Sequence, residues 1–409
     1  MSLRRFFRIP PAVDGAFRTN FVHFLWDIGW WGLYTGTTAA FLSIYAARCG
    51  ATPQQIGLLS ALPALVSLLI SLPAGRFLRR FPAGPATAVS AFVSRAMLVT
   101  YAVLPWLLTS EEQVNAILLM TILIAVPATF INISFSQMFI EAVPADWRGD
   151  MVGARNALSS IISFAITLIS GQILTWLPFP AGYQVVFFIG FIGATMTAYH
   201  IAHIRPVAPS PLPPAPQGAR RAALLPLLDD KARTYLRVIG LLFVFNLTNS
   251  MLGPLVPTLL VKTLGLSDAT ISVGTGVANM LVFTVSLFMA RFTRRLGNRR
   301  ATALGAMLLT LHAAALAMAT DATFYLLAAV AGGLASGVLG TAQYNYHLEN
   351  VPADGRSVWL SWNLLLGNTA VLLGALAGPA VAQLTGTATA LTLLGALRFL
   401  FGLLILRWG

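Results

Sequence analysis

Residues 75–81 read Gly-Arg-Phe-Leu-Arg-Arg-Phe, and residues 290–296 read Ala-Arg-Phe-Thr-Arg-Arg-Leu. From Gly75 to Ala290 the offset is 215 residues, and Ala86-Thr-Ala-Val returns as Ala301-Thr-Ala-Leu at the same offset of 215. A second pair repeats elsewhere. Residues 141–148, Glu-Ala-Val-Pro-Ala-Asp-Trp-Arg, return as residues 349–356, Glu-Asn-Val-Pro-Ala-Asp-Gly-Arg, an offset of 208. Both pairs occupy short polar breaks between long apolar runs, at matching places in two halves of the chain. The sequence therefore reads as a duplication of one membrane-crossing unit.

Composition agrees. Of 409 residues, 57% are apolar and only 10% charged, with a mean hydropathy of +0.77. Soluble domains carry about a quarter charged residues, so this balance excludes disorder and argues against a soluble enzyme. Apolar runs near twenty residues recur at 17–47, 54–75, 86–109, 113–140, 152–177 and 183–204, then at 234–262, 269–290, 301–319, 322–348, 357–384 and 388–407. Each is long enough to cross a hydrocarbon core of about 30 Å, with tilt absorbing any excess. The expected fold is an all-α polytopic membrane protein of twelve transmembrane helices in two pseudo-symmetric six-helix bundles. The first bundle spans 1–204 and the second 233–409. A Pro-rich linker over 205–232 joins them, because the run from Pro206 to Pro216 makes a semi-rigid spacer rather than a packed core.

The net charge of +13 does not point to nucleic acid. Its basic residues cluster between spans. With the amino terminus inside, only Arg48 and Lys262 fall outside, and Arg95 and Arg398 lie within spans; every other basic residue is cytoplasmic. Both termini are then cytoplasmic. The near-complete replacement of lysine by arginine, with abundant alanine, points to a GC-rich genome and so to a bacterial inner membrane. The first apolar run is too long for a cleavable signal and contains Asp27. One cysteine, Cys49, excludes an internal disulfide and a cysteine-built metal site.

Two motifs carry a resemblance to the major facilitator superfamily over essentially the whole length. One is the basic loop after the second and eighth spans, Gly75-Arg-Phe-Leu-Arg-Arg and Ala290-Arg-Phe-Thr-Arg-Arg-Leu-Gly297. The other is Glu-x6-Arg after the fourth and tenth spans, Glu141 to Arg148 and Glu349 to Arg356. The chain departs from the family where Arg79 and Arg294 replace an acid of the basic loop, and where Pro82 replaces its second glycine. The arginine common in the fourth span of proton-coupled drug exporters is missing, as is the Gly-Pro motif of their fifth. The resemblance implies a cytoplasmic gate that latches Glu141, Arg148, Glu349 and Arg356 with Arg76, Arg80, Arg291 and Arg295. It also places the first, fourth, seventh and tenth spans around a central cavity.

Polar residues concentrate on those spans. Asn132 and Ser136 lie on the fourth, Asn246 and Asn249 on the seventh, and Gln343 and His347 on the tenth. With Trp31 and Tyr34 they suit a polar or amphipathic organic solute; the alternative use is helix–helix hydrogen bonding. Gly333-x-x-x-Gly337 and Gly374-x-x-x-Gly378 read as close helix contacts.

Asp27 is the sharpest signal. A carboxylate at depth in a span costs about 2.5–3.5 kcal/mol on insertion scales, so it needs a cavity or a partner. Helical spacing puts Asn20, His23, Asp27, Trp31 and Tyr34 on one stripe. A low dielectric favours the protonated form of such a carboxyl, which fits a proton carrier. The competing reading is a structural ion pair with Arg95 of the third span, and the two are compatible. His23, one turn away, is a candidate relay. No nucleophile–base set, metal-ligand cluster, Walker loop or complete dinucleotide loop is present, so neither an enzyme, a cofactor nor a metal is expected. The expected function is a secondary active transporter, monomeric and working by alternating access. Its partners are a small-molecule substrate, protons and the lipid bilayer, coupled through Asp27, His23 and Arg95. An amphipathic drug exporter of the same fold is one alternative; a membrane sensor or lipid-handling protein is the other.

Overall fold

A computed structural model describes residues 15–206, 230–352 and 356–409. The expected linker falls mostly outside them. All regular structure in the described residues is helical. In chain order the helices are α1 (Gly15–Tyr34, continued by a π-helical stretch Thr35–Ala39 and by Ala40–Arg48), α2 (Pro53–Leu78) and α3 (Ala83–Ala96 and Val99–Leu107). Then come α4 (Ser110–Ala142), α5 (Arg148–Trp176) and α6 (Ala181–Ala202). The second set is α7 (Asp230–Leu252, with Leu255–Thr258 and the π-helical Leu259–Thr263), α8 (Asp268–Leu296), α9 (Asn298–Ala317), α10 (Ala322–Asn350), α11 (Arg356–Thr385) and α12 (Thr387–Trp408). These twelve match the twelve spans read from hydropathy. Among the described residues, eleven helical segments are long and apolar enough to cross a membrane. The exception is α1, which carries Arg18, Asn20, His23 and Asp27 in its first half.

Local chemistry sets the ends and the breaks. A capping box between Thr109 and Glu112 opens α4. The Asp321 carboxylate accepts from the Thr323 and Phe324 amides to open α10. Gly297, at φ +79°, ends α8 and starts α9 in one residue, a backbone conformation that glycine adopts without strain. The π-helical stretch of α1 begins where the Thr37 hydroxyl donates back to the Leu33 carbonyl (2.7 Å) and Ser170 of α5 donates to the Gly36 carbonyl (3.2 Å). Both compete with the regular backbone ladder. In α3 the ladder tightens just after Arg95, where the Leu98 amide donates to the Arg95 carbonyl (3.0 Å).

The described residues divide into two compact units, one within Met1–Gly50 and Val66–Pro213, the other within Ala51–Leu65 and Pro214–Gly409. In the first, α1 packs on α5 and α6, and α3 packs on α4 and α6. Its core joins Phe17, Phe21, Phe24, Met138, Met151 and Ile201. In the second, α9 packs on α10 and α12, α8 on α10, and α7 on α11 and α12, around Val238, Phe245, Leu309 and Phe401. Outward side chains such as Leu69, Leu72, Phe288 and Leu364 are exposed. Water would not tolerate so large an apolar surface; hydrocarbon does, and the chain is an integral membrane protein.

Both small-residue motifs sit at close helix crossings. Gly374 and Gly378 bring α11 against Leu247, Ser250 and Met251 of α7, and a Cβ on Gly378 would meet the Met251 main chain. Gly333 and Gly337 bring α10 against Ala278, Leu281 and Val285 of α8. Gly378→Ala is therefore expected to destabilise the protein by about 1–3 kcal/mol through overpacking. Gly367→Ala on the same helix, where nothing lies within 4 Å, should leave stability unchanged or raised. Thermal unfolding of the two purified variants against the parent checks this, and equal melting temperatures would refute the close contact.

Candidate substrate cavity and charge cluster

The stripe on α1 organises the first unit. Asp27 is 4% exposed, and its carboxylate forms an ion pair with Arg155 of α5, Nη1 to Oδ2 at 2.8 Å. The same Nη1 donates to the Phe24 carbonyl at 2.6 Å. The guanidinium also lies beside the rings of Phe24 and Phe135, 5.4 Å and 5.3 Å from their centroids. The ion-pair partner is thus Arg155, not the Arg95 expected from depth alone. By charge pattern Arg155 reads as one of the cytoplasmic bases, although it falls inside the span 152–177. That position was the available signal.

Arg95 is close by with different contacts. It is buried, its guanidinium carbon lies 4.6 Å from the centroid of the Trp31 ring, and the Tyr34 ring packs 4.7 Å from that of Trp31. Its Nε donates to Thr197 Oγ1 (3.3 Å) and its Nη1 to Ser94 Oγ (3.4 Å), both neutral acceptors. Asp27, Trp31, Arg95, Asn132, Ser136 and Arg155 line one cavity of about 490 Å³, closed by Ile28, Ala128, Ile131, Phe135 and Ile201. Two members of the stripe, Asp27 and Trp31, therefore line one cavity with the fourth-span residues Asn132 and Ser136.

His23 faces α6. Its Nδ1 lies 3.0 Å from His200 Nδ1, so one ring donates and the other accepts. The His203 ring stacks on His23 at 5.4 Å, and the Trp26 ring stacks on His200 at 6.1 Å. His200 and His203 are not legible in the sequence as partners of His23, because partners on another helix leave no periodic mark on α1. Below them Asn20 joins three elements. Its amide donates to the Ala142 and Arg205 carbonyls (3.3 and 2.6 Å) and accepts from the Arg205 amide (2.9 Å).

The second unit presents a neutral site. Asn246, Gln343 and His347 line a cavity of about 210 Å³ with Leu242, Gly340, Tyr344 and Asn363. Gln343 donates to Asn246 Oδ1 at 3.3 Å, and His347 Nε2 lies 2.7 Å from the Tyr235 hydroxyl, which donates to the Trp359 carbonyl. Asn249 is turned elsewhere: its side-chain oxygen accepts from the fully buried Arg398 at 2.9 Å.

Of the residues assigned to a cytoplasmic gate, Arg76, Arg80, Arg291, Arg295 and Glu349 are exposed. Arg148 donates to the Ile140 and Val143 carbonyls (3.0 and 3.1 Å) at the end of α4, satisfying helix-terminal acceptors. Glu141 accepts from Gln137 (2.8 Å), and Glu349 from Asn298 (2.5 Å). The side chain of Arg356 lies outside the described residues.

The geometry at Asp27 makes a measurable claim about pairing. A double-mutant cycle of Asp27→Ala and Arg155→Ala, read by thermal unfolding, should give a coupling energy of about 0.5–3 kcal/mol. The cycle with Arg95→Ala should give less. Equal coupling in the two cycles would contradict the assignment of the ion pair.

No curated protein sequence matches this chain. The sequence profile of the Major Facilitator Superfamily matches residues 238–409. Among solved structures, a variant of the nucleoside transporter NupG is similar with a TM-score of 0.68 and 14% identity, covering 95% of this chain and 99% of that one. An auto-inhibited POT family peptide transporter is similar with a TM-score of 0.71 and 13% identity, covering 95% and 96%. A peptide transporter POT in complex with sulfate has a TM-score of 0.69 and 14% identity, covering 98% and 95%. At such identities these likenesses establish the fold. The second half of the chain thus resembles the Major Facilitator Superfamily by sequence, and the chain as a whole shares the fold of these solved structures.

Proposed function

We propose that the protein is a secondary active transporter. It moves a small organic solute across a bacterial inner membrane by alternating access, with both termini cytoplasmic and protons as the coupling ion. The observation that carries the reading is the Asp27–Arg155 pair on the wall of a polar cavity. A carboxylate in that position has two compact arrangements. Ionised, it holds Arg155; protonated, it releases it. A side chain whose protonation breaks a buried ion pair is a two-state element that a proton gradient biases, and a solute in the same cavity biases the same equilibrium.

The supporting observations are of several kinds. The solved structures of like fold carry the descriptions of nucleoside and peptide transporters. With the amino terminus inside, most of the bases would lie on the cytoplasmic side of the spans. His23, paired with His200 at the inner end of α1, is a candidate relay between Asp27 and the cytoplasm, and Arg95 is the second cation that senses the state of Asp27. The bundles 1–204 and 233–409 would move as the two halves of the alternating cycle. Arg76, Arg80, Glu141, Arg148, Arg291, Arg295, Glu349 and Arg356 would form its cytoplasmic gate. Export of lipophilic cations draws less support, because the cavity holds two guanidiniums against one carboxylate.

The test starts with ligand stabilisation of the purified protein across sugars, amino acids, carboxylates, nucleosides and lipophilic cations, since a binder raises the melting temperature with its occupancy. The stabilising solute is then followed into proteoliposomes under an imposed proton gradient. Asp27→Asn is expected to abolish accumulation above equilibrium and to retain counterflow exchange. Full accumulation by that variant would remove Asp27 from the mechanism. An absence of flux for every solute class would move the reading to a membrane sensor or lipid-handling protein.

A further inference from the structure

We infer that the cavity of the first unit binds a small organic monoanion, a monocarboxylate, anchored by Arg95, and that protonation of Asp27 strengthens its binding. This rests on the transport reading above and adds the substrate class and the sign of the coupling.

The first argument is charge balance. The charged residues lining the cavity are Asp27, Arg95 and Arg155. Asp27 is taken by Arg155 at 2.8 Å. Arg95 is left with Thr197 and Ser94, at 3.3 and 3.4 Å, and the face of Trp31. Hydroxyls and a ring orient a guanidinium without neutralising it. One carboxylate acting on two guanidiniums leaves one positive charge in excess, and an uncompensated buried charge is strongly disfavoured, more so at membrane depth. Arg95 has 8% of its surface exposed and lines the cavity, so an anion reaching it would come through that space. One uncompensated positive charge matches a monoanion. A phosphate dianion would leave an excess negative charge in the same space, and a cation would add to the imbalance.

The second argument is the shape of the wall. Asn132 and Ser136 supply polar groups on one side, while Trp31, Ile28, Ile131 and Phe135 make the rest apolar or aromatic. A planar fork over an aromatic face, beside an apolar wall, fits a carboxylate attached to an apolar or aromatic body.

The third argument gives the coupling. Protonating Asp27 raises the net charge of the lining from one positive to two and frees Arg155 to face the same anion. Proton and anion then bind with positive cooperativity, each raising the affinity of the other by the same factor. The groups facing Asp27 are Arg155 from α5 and Arg95 from α3. From α4 come the neutral Asn132, Ser136 and Phe135, and from α6 Thr197 and Ile201. On α1 itself the neighbouring titratable groups are Tyr34 and His23, the latter joined to His200 and stacked on His203. Charging that histidine set would also favour an anion, so the assignment to Asp27 needs its own control.

The test measures binding to the purified full-length protein by thermal shift and calorimetry. The probes are monocarboxylates from lactate to benzoate, each with its amide, with phenyl phosphate as a dianion and benzylamine as a cation. A carboxylate is expected to stabilise the protein where its amide does not, more strongly at about pH 6 than at about pH 8, a range that brackets the ordinary histidine value. Arg95→Gln should weaken binding by about tenfold or more, the loss of one charge-assisted contact. Arg95→Lys, which keeps the charge, should retain part of it and guards against a folding defect. Asp27→Asn should bind the carboxylate at least as tightly as the parent, with the pH dependence gone. The proposal is overturned if amides or benzylamine bind as well as the acids, if no monocarboxylate binds, or if Arg95→Gln binds unchanged. A pH dependence that persists in Asp27→Asn would overturn the coupling and assign it to the histidines. The two readings fail separately. Proton-driven flux of a neutral solute, lost in Asp27→Asn, would sink the anion site and leave transport standing. Carboxylate binding without any flux would do the reverse.

Discussion

One ion pair constrains the first unit: the carboxylate of Asp27 against the guanidinium of Arg155, at 2.8 Å in an environment that excludes most water. In a chain with 10% charged residues, a charge at depth is tolerated only with a partner. That requirement fixes how α1 and α5 face each other. Gly29, Gly32 and Gly36 of α1 lie close against Leu158, Ile162 and Ile166 of α5, so the same seam that allows the ion pair is packed along the helices. Breaking the pair by removing one member leaves a buried charge behind, which is why the arrangement suits a switch: protonation removes the carboxylate's charge without removing the residue.

The duplication has been used asymmetrically. Both halves keep the basic loop and Glu-x6-Arg, and both use closely packed small residues at helix crossings. Their polar interiors differ. The first unit concentrates Asp27, Arg95 and Arg155 on one cavity; the second offers Asn246, Gln343 and His347, joined to Tyr235 and Trp359 by neutral hydrogen bonds. The charged side chains thus line the cavity of one unit, and the cavity of the other is lined by neutral hydrogen-bonding groups. Arg398 is the exception. It is fully buried, bonded through one nitrogen to Asn249, and its Nε and Nη1 have no partner among the described residues.

Much of this was legible in the chain. Hydropathy placed all twelve helices to within a few residues, because each span must satisfy its own backbone hydrogen bonds and coat itself against lipid, conditions that depend on local sequence alone. Helical periodicity put Asp27 and Trp31 on one face of α1, and both line the cavity that Asn132 and Ser136 also line; that the first and fourth spans approach each other came from the family resemblance. The small-residue motifs were read correctly as contacts, since helical periodicity fixes which side chains share a face. What could not be read is which face of one helix meets which face of another. Arg95 and Arg155 both lie within spans, and depth made Arg95 the better match for Asp27; the rotation of α5 about its axis, set by packing along its whole length, brought Arg155 in instead. The same holds for His23 with His200, for His347 with Tyr235, and for Asn249, which the buried Arg398 draws away. The amino-acid sequence by itself determined the number and length of the helices and the presence of a charge in need of a partner. Only the tertiary structure decided the partner, because pairing depends on azimuth and approach between distant segments, and neither is encoded in a local pattern.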